Sequence, residues 1–274
     1  MRHNLFISLV LAATLTGAGC AGTVVTKFEP PKREPSAVPR ALFYEKESPV
    51  ITADMLLTSG YLTSQDHPFG SVIDFQQPDK RAASPGDNIY INKGSKAGVK
   101  KEDQFFIYHR SDPISDPDTR DEIGYIVTMV GIITVNDVKE DVALARVERA
   151  FNMVFVGDAL MPVYEVTPPR MDPDRPLDEK TVEGKIVYVR HGKGLISQDD
   201  IVYLNIGRKD GVQESDIFKV LEQDKDNDEN TYGIRKDIGR LMVILVKENT
   251  ATAIAVTSKS EVKTGDLVSY VQER

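Results

Sequence analysis

The sequence predicts an all-β protein, two tandem small β-barrel or sandwich domains behind a proline-rich tether, and three observations predict it. Residues 90–105 (YINKGSKAGVKKEDQF) and 203–218 (YLNIGRKDGVQESDIF) align without a gap, 113 residues apart, with eight of sixteen positions identical. Segments rich in β-branched and aromatic residues recur at short spacing, broken by Gly and Asp, as strands and their turns do. Long stretches of helical periodicity are absent from both copies.

The chain opens with Arg2, His3 and an eleven-residue apolar run, Leu5 to Leu15. That run is too short to cross a bilayer, which takes about 20 apolar residues; it reads as the core of an export signal over 1–19. Ala18, Gly19 and Cys20 follow. Small residues before a lone cysteine resemble a bacterial lipobox, although Gly17 stands where Leu is usual and Leu15 lies two positions early. The resemblance implies cleavage before Cys20 and acylation of its sulfur and amine. The alternative is an ordinary secretory signal that leaves a plain thiol. By similarity to Gram-negative lipoproteins, Ala21 in place of Asp implies the periplasmic face of the outer membrane over inner-membrane retention.

Residues 20–40 carry Pro30, Pro31, Pro35 and Pro39. Proline removes amide donors and stiffens the chain, so this stretch reads as a lipidated tether. The lead-in at 41–65 holds one predicted short helix, with Thr52 as N-cap and Gly60 as terminator. The first β-domain is expected over 66–164, with strands at Ile89–Ile91, Phe105–Tyr108, Tyr125–Val135 and Ala143–Val147. A linker at 165–180 contains Pro168, Pro169, Pro173 and Pro176. The second domain is expected over 181–272, with Gly239–Val246 and Thr250–Thr257 among its strands. A repeat this long is a small domain, not a solenoid unit. Outside the core motif, Gly70-Ser-Val-Ile parallels Gly184-Lys-Ile-Val, Ile123-Gly124 parallels Ile238-Gly239, and Gly157-Asp158 parallels Gly265-Asp266.

The shared letters of the motif read as turn architecture. Gly94 and Gly98, like Gly207 and Gly211, suit a tight connection between strands, because glycine reaches positive φ at little cost. Val99 and Val212 would plug the core. Asn92, Asp103, Asn205 and Asp216 would accept hydrogen bonds from loop amides. A phosphate cradle at these glycines lacks support, since strands and not a helix N-terminus follow them.

The pattern Y-[IL]-N-x-G-x-K-x-G-V-x-x-x-D-x-F, with Ile-Gly and Gly-Asp behind it, resembles the C-terminal β-domain of the flagellar assembly protein T family. It is also similar to the tandem β-domains of bacterial envelope proteins that begin with a LysM module. The resemblance covers roughly residues 50–272 and implies domains that bind and scaffold. Those families often place Gly-Asp where this chain has Glu102-Asp103 and Ser215-Asp216, and no LysM stretch is present, so peptidoglycan binding is not carried over.

Composition narrows the partners. The 274 residues carry a formal net charge of −8 without a basic stripe, which argues against nucleic acid. The same charge puts membrane attachment on acyl chains, not on a basic face. One cysteine allows no internal disulfide. His3, His67, His109 and His191 are isolated in sequence, with no partner at metal-ligand spacing. Asp224, Asp226 and Asp228 start like a calcium loop, but Glu229 replaces the required Gly and Arg235 the required Glu, so the loop reads as a solvated hairpin tip. No metal or other cofactor is expected, and no nucleophile elbow is present. The expectation is a non-enzymatic, lipid-anchored envelope protein that scaffolds other envelope proteins. A peptidoglycan- or polysaccharide-binding module is the alternative; exposed aromatics converging in a groove would favour it, with Tyr90, Tyr108, Tyr125, Tyr188, Tyr203 and Phe105 the rings to inspect.

Overall fold

The structure is a computed structural model and describes residues 51–169, 179–190, 199–222 and 235–272. These residues belong to one compact unit, Ser48–Arg274. The expected export signal, Cys20, the expected tether, the core of the proline-rich stretch, His191 and the acidic segment at 224–230 lie outside the described residues.

One helix leads in. In α1 (Ala53–Ser59) the Thr52 hydroxyl accepts from the Met55 amide at 3.1 Å, and Gly60 at φ 69° ends the helix. The strand β1 (Tyr61–Thr63) follows, and then the first barrel: β2 (Gly70–Phe75), β3 (Asn88–Ile91), β4 (Gln104–Arg110), the short β5 (Ile114–Ser115), β6 (Glu122–Val138), β7 (Ala143–Ala150) and β8 (Ala159–Pro162). The second barrel contains β9 (Glu183–Val189), β10 (Ile201–Leu204), β11 (Ile217–Leu221), β12 (Asp237–Val246), β13 (Ala251–Ser258) and β14 (Leu267–Val271).

Both barrels are closed by six antiparallel strands in the same order. The first runs β6-β4-β8-β2-β3-β7 and closes through β6–β7; the second runs β12-β11-β14-β9-β10-β13 and closes through β12–β13. Even the irregularities recur. The β6–β7 ladder shifts register at Ile132/Ile133 and Val135/Asp137, and the β12–β13 ladder shifts at Arg240/Leu241 and Val243/Leu245. Bulges bend strands and sharpen twist, which a barrel this narrow requires. Inside each barrel, alternate residues pack one apolar core. Val72, Ile89, Phe105, Ile107, Ile133 and Leu160 serve in the first, and Ile186, Val202, Phe218, Leu241, Ala253 and Val268 in the second.

The copies differ on the outside. In the second barrel the outward residues Val187, Ile201, Tyr203, Ile217, Met242, Ile244 and Ile254 are also buried. They pack against Leu56 of α1, Leu62 of β1, Ile114 of β5 and Ile126 of β6, in an apolar cluster that joins the two barrels. Strand register identifies the counterparts in the first barrel as Ile73, Asn88, Tyr90, Gln104, Thr134, Asn136 and Arg146, all at least partly exposed and mostly polar. The buried seam is held by hydrogen bonds as well as by apolar area. The Tyr203 hydroxyl donates to the Ser59 carbonyl at 2.6 Å, Thr250 Oγ1 to the Leu62 carbonyl at 2.6 Å, and Thr252 Oγ1 to the Gly60 carbonyl at 2.9 Å. Lys185 of β9 is paired with Asp118 from the loop between β5 and β6.

Candidate functional site

The eight residues of the repeated motif occupy equivalent positions in the two barrels. Gly94 and Gly207 each precede a single 3-10 turn, Ser95–Ala97 and Arg208–Asp210, and Gly98 and Gly211 end these turns at φ 84°. A Cβ on Gly94 would lie 2.2 Å from the Lys139 carbonyl oxygen, and one on Gly207 2.5 Å from that of Lys247. The reason is a docking of backbone on backbone. The amides of Ser95 and Lys96 donate to the carbonyls of Lys139 and Glu140 in the β6–β7 hairpin, at 2.9 and 3.0 Å. Arg208 and Lys209 do the same to Lys247 and Glu248 in the β12–β13 hairpin.

The polar members serve the same turn. Asp103 accepts from the Lys100 amide at 2.8 Å and Asp216 from the Gln213 amide at 2.7 Å. Asn92 accepts from the Ser71 amide and Asn205 from the Lys185 amide, at 2.8 and 2.7 Å. Glu102 and Ser215 both sit at φ 70°, at the position where the resembled families often place glycine. Val99 and Val212 are buried. These groups make bonds that shape the barrel; Asp216 is also paired with Lys180 at 2.6 Å, and Asn92 lies at the edge of a cleft in the first barrel.

Side chains that the two copies do not share, set around the shared Asp158, gather at one end of the first barrel, around this open cleft of about 610 Å³. On its floor the buried Tyr108 hydroxyl donates to Asp66 at 2.5 Å, and Arg110 lies 3.7 Å from the same carboxylate. Burial, and then the bond to Asp66, pushes the Tyr108 phenol well above its ordinary range. The Arg110 guanidinium also stacks 4.8 Å over the Tyr125 ring. Asp158, only 4% exposed, meets His109 Nδ1 at 3.1 Å and accepts from the Phe155 amide at 2.7 Å. Lys93 lies 5.9 Å over the Phe69 ring, which stacks on Phe105.

One lip of this cleft is apolar. Phe155 and Val156 line it at 45% and 53% exposure, and Met153, just before them, is 63% exposed. The Gly157 amide donates to the Val72 carbonyl, which brings the loop beside the exposed Ile73. Counting back from the shared Gly-Asp, the second barrel has Glu261, Lys263 and Thr264 where the first has Met153, Phe155 and Val156. It also has Ile206 in place of Lys93 and Glu222 in place of His109. The site therefore lies where the duplicated halves disagree. A residue-by-residue subtraction of one half from the other, flanking Gly157-Asp158, is the sequence signal that finds it.

A smaller cleft, of about 230 Å³, opens at the seam between the barrels. There Lys247 Nζ lies 3.6 Å over the Tyr61 ring. Burial and then the neighbouring Arg208 lower the lysine's pKa, and burial chiefly pushes the Tyr61 phenol up to about 12.

Of the six rings to inspect for a sugar platform, Tyr108, Phe105 and Tyr125 lie near the first-barrel cleft, the first two buried, and the other three lie elsewhere. Phe105 lies inside the first barrel, and Tyr108 belongs to a cluster on that barrel's outer wall with Tyr125 at its edge. Tyr203 is buried in the seam, with Tyr188 at its margin and a ring-centroid distance of 6.0 Å between them. Tyr90 stands apart on β3. Among the described residues no group of three or more His, Cys, Asp and Glu could hold a metal ion. No family model matches the chain, and no curated protein matches it.

Proposed function

We propose that the protein is a non-enzymatic, lipid-anchored cell-envelope protein, held at the periplasmic face of the outer membrane, whose joined barrels scaffold other envelope proteins. The observation that carries this reading is the use to which the repeated polar residues are put. Asn92, Asp103, Asn205 and Asp216 bond to amides of their own barrel, so the duplicated unit multiplies surface and rigidity instead of reactive groups. The apolar seam supports it further, because two barrels that share buried residues present their surfaces in a constant relation. The sequence around Cys20 supports the anchor, and the resemblance to flagellar and LysM-linked β-domains supports a place in an envelope machine.

Crosslinking in intact cells followed by recovery of the protein from envelope membranes tests the scaffold. Enrichment of defined envelope-machine proteins is expected. Recovery of glycan fragments alone would replace the scaffold by a polysaccharide-binding module. Metabolic labelling with palmitate tests the anchor: wild type labels and Cys20→Ser does not, and equal labelling of the two would remove the lipid from the reading.

A further inference from the structure

We infer that the β7–β8 loop of the first barrel, Met153 to Val156, is a bilayer-insertion element that seats the body on the lipid surface to which the chain is tethered. The inference takes the occupant, a phospholipid surface, from the proposed anchor at Cys20. Its geometric grounds are separate from that anchor.

The loop is built to present apolar groups outward. Val154 is fully buried and forms a two-way bridge with Ala83, its carbonyl accepting at 2.9 Å and its amide donating at 3.3 Å. With the middle residue pinned inward, its neighbours Met153 and Phe155 are left exposed. The bond from the Phe155 amide to Asp158 holds the far side of the tip. The second barrel shows that the fold does not need this surface. Val262 keeps the buried plug, while its neighbours are Glu261 and Lys263. Exposed apolar side chains that the architecture does not require, gathered on one tip, mark a contact with a protein or a membrane.

Two observations select the membrane. First, the chain joins the body beside the root of this loop. Arg149, four residues before Met153, pairs with Asp54 in the first turn of α1 at 2.5 Å. The described chain therefore begins on the flank that carries the root of the apolar tip. The chain between Cys20 and α1 spans at most about 3.3–3.6 Å per residue, ample to let the tip reach the lipid. Second, the sequence from Ala150 to Val156 contains no charge, while Lys93 and Arg110 line the cleft behind it. Apolar groups at the tip and long cationic side chains behind it suit acyl chains below and phosphate headgroups above. Asp66 and Asp158 sit below the lips and are already bonded to Tyr108 and His109, so they do not face the headgroups as bare charges.

The chain has no tryptophan, so Phe155→Trp places a single reporter in the tip. The lipidated full-length protein, reconstituted into vesicles of phosphatidylethanolamine and phosphatidylglycerol, should show blue-shifted emission. Bromine on the acyl chains should quench it at least twofold. Glu248→Trp, on the hairpin of the second barrel, should show neither effect. In the Cys20→Ser background, replacing the tip with the second copy's residues (Met153→Glu, Phe155→Lys, Val156→Thr) should weaken vesicle partitioning at least tenfold, with unchanged circular dichroism. Emission at position 155 that ignores vesicles, or quenching equal to that at position 248, overturns the inference. Lipid-insensitive emission together with a crosslink from position 155 to an envelope protein also overturns it and makes the loop a protein-docking site. Palmitate labelling separates the two claims: quenching without labelling keeps the insertion loop and removes the anchor, and labelling without quenching does the reverse.

Discussion

Alanine at the four motif glycines separates two physical roles that look alike in sequence. At Gly94 the backbone φ of −135° is open to any residue, so the cost is one of space. The new Cβ would sit 2.2 Å from the Lys139 carbonyl oxygen and 2.7 Å from both the Glu140 oxygen and the Val142 nitrogen. All three are backbone atoms and cannot swing aside, so the turn must lift off the β6–β7 hairpin. Overpacking costs about 1–3 kcal/mol. Weakening the two amide bonds from Ser95 and Lys96 adds about 0.5–1.5 kcal/mol each. The total is about 2–6 kcal/mol. At Gly98 no atom lies within 4 Å of the added Cβ, and the cost is the left-handed φ of 84° alone, about 1–2 kcal/mol. Gly207 and Gly211 repeat the pair in the second barrel.

Urea unfolding followed by far-UV circular dichroism measures all four variants. With a slope of about 3 kcal/mol per molar, Gly94→Ala and Gly207→Ala should lower the midpoint by about 1 M and the other two by about half that or less. The shared seam adds a second expectation, that each substitution moves one common transition although it strikes only one barrel. If Gly98→Ala costs as much as Gly94→Ala, the crowding argument fails. If Gly94→Ala splits the transition in two, the barrels are thermodynamically separate and the seam is a weak contact.

Further outcomes follow from the seam and from the buried phenols. Tyr203→Phe removes the donor to the Ser59 carbonyl and should cost about 1–3 kcal/mol in the same urea assay, because the acceptor stays buried without it. Ile254→Arg imports the residue that occupies the equivalent place in the first barrel. It should cost about 3–5 kcal/mol by burying a charge, whereas Arg146→Ile on the exposed counterpart should stay within about 0.5 kcal/mol. Alkali should unfold the protein cooperatively. Tyr61 is raised to about 12, and Tyr108, Tyr164 and Tyr203 are raised as well, burial being the first cause in each. A phenol with a raised folded pKa contributes its full stability below the unfolded value near 10 and loses it as pH climbs through the folded value. Phenolate absorbance, measured against urea midpoint from pH 9 to 12, should show these rings ionising together with unfolding. Ionisation of all ten tyrosines near pH 10 with the fold intact would refute the burial account.

Residue types and their order settled the β class, the duplication and the roles within each turn. Glycine at φ 84° and aspartate bonded to the amide three residues earlier are local requirements, so they are written in neighbouring letters and appear twice. The helix under Thr52 and Gly60 was legible for the same reason. The strand order that closes each barrel was not, because each ring joins strands far apart in the chain, as when β2 meets β8 and β9 meets β14. Nor was the seam. Its trace in sequence is the unbroken apolar run Leu241–Val246, where one-sided burial would alternate as it does in the exposed counterpart Ile133–Val138. An uninterrupted run reports that both faces of a strand are covered, but it cannot name the cover. Only the packed structure shows α1, β1, β5 and β6 lying there, and only it brings Asp66, His109, Asp158 and the Met153–Val156 tip to one end of one barrel. Local chemistry is encoded in neighbouring residues, whereas surfaces are assembled from residues that meet only when the chain closes on itself.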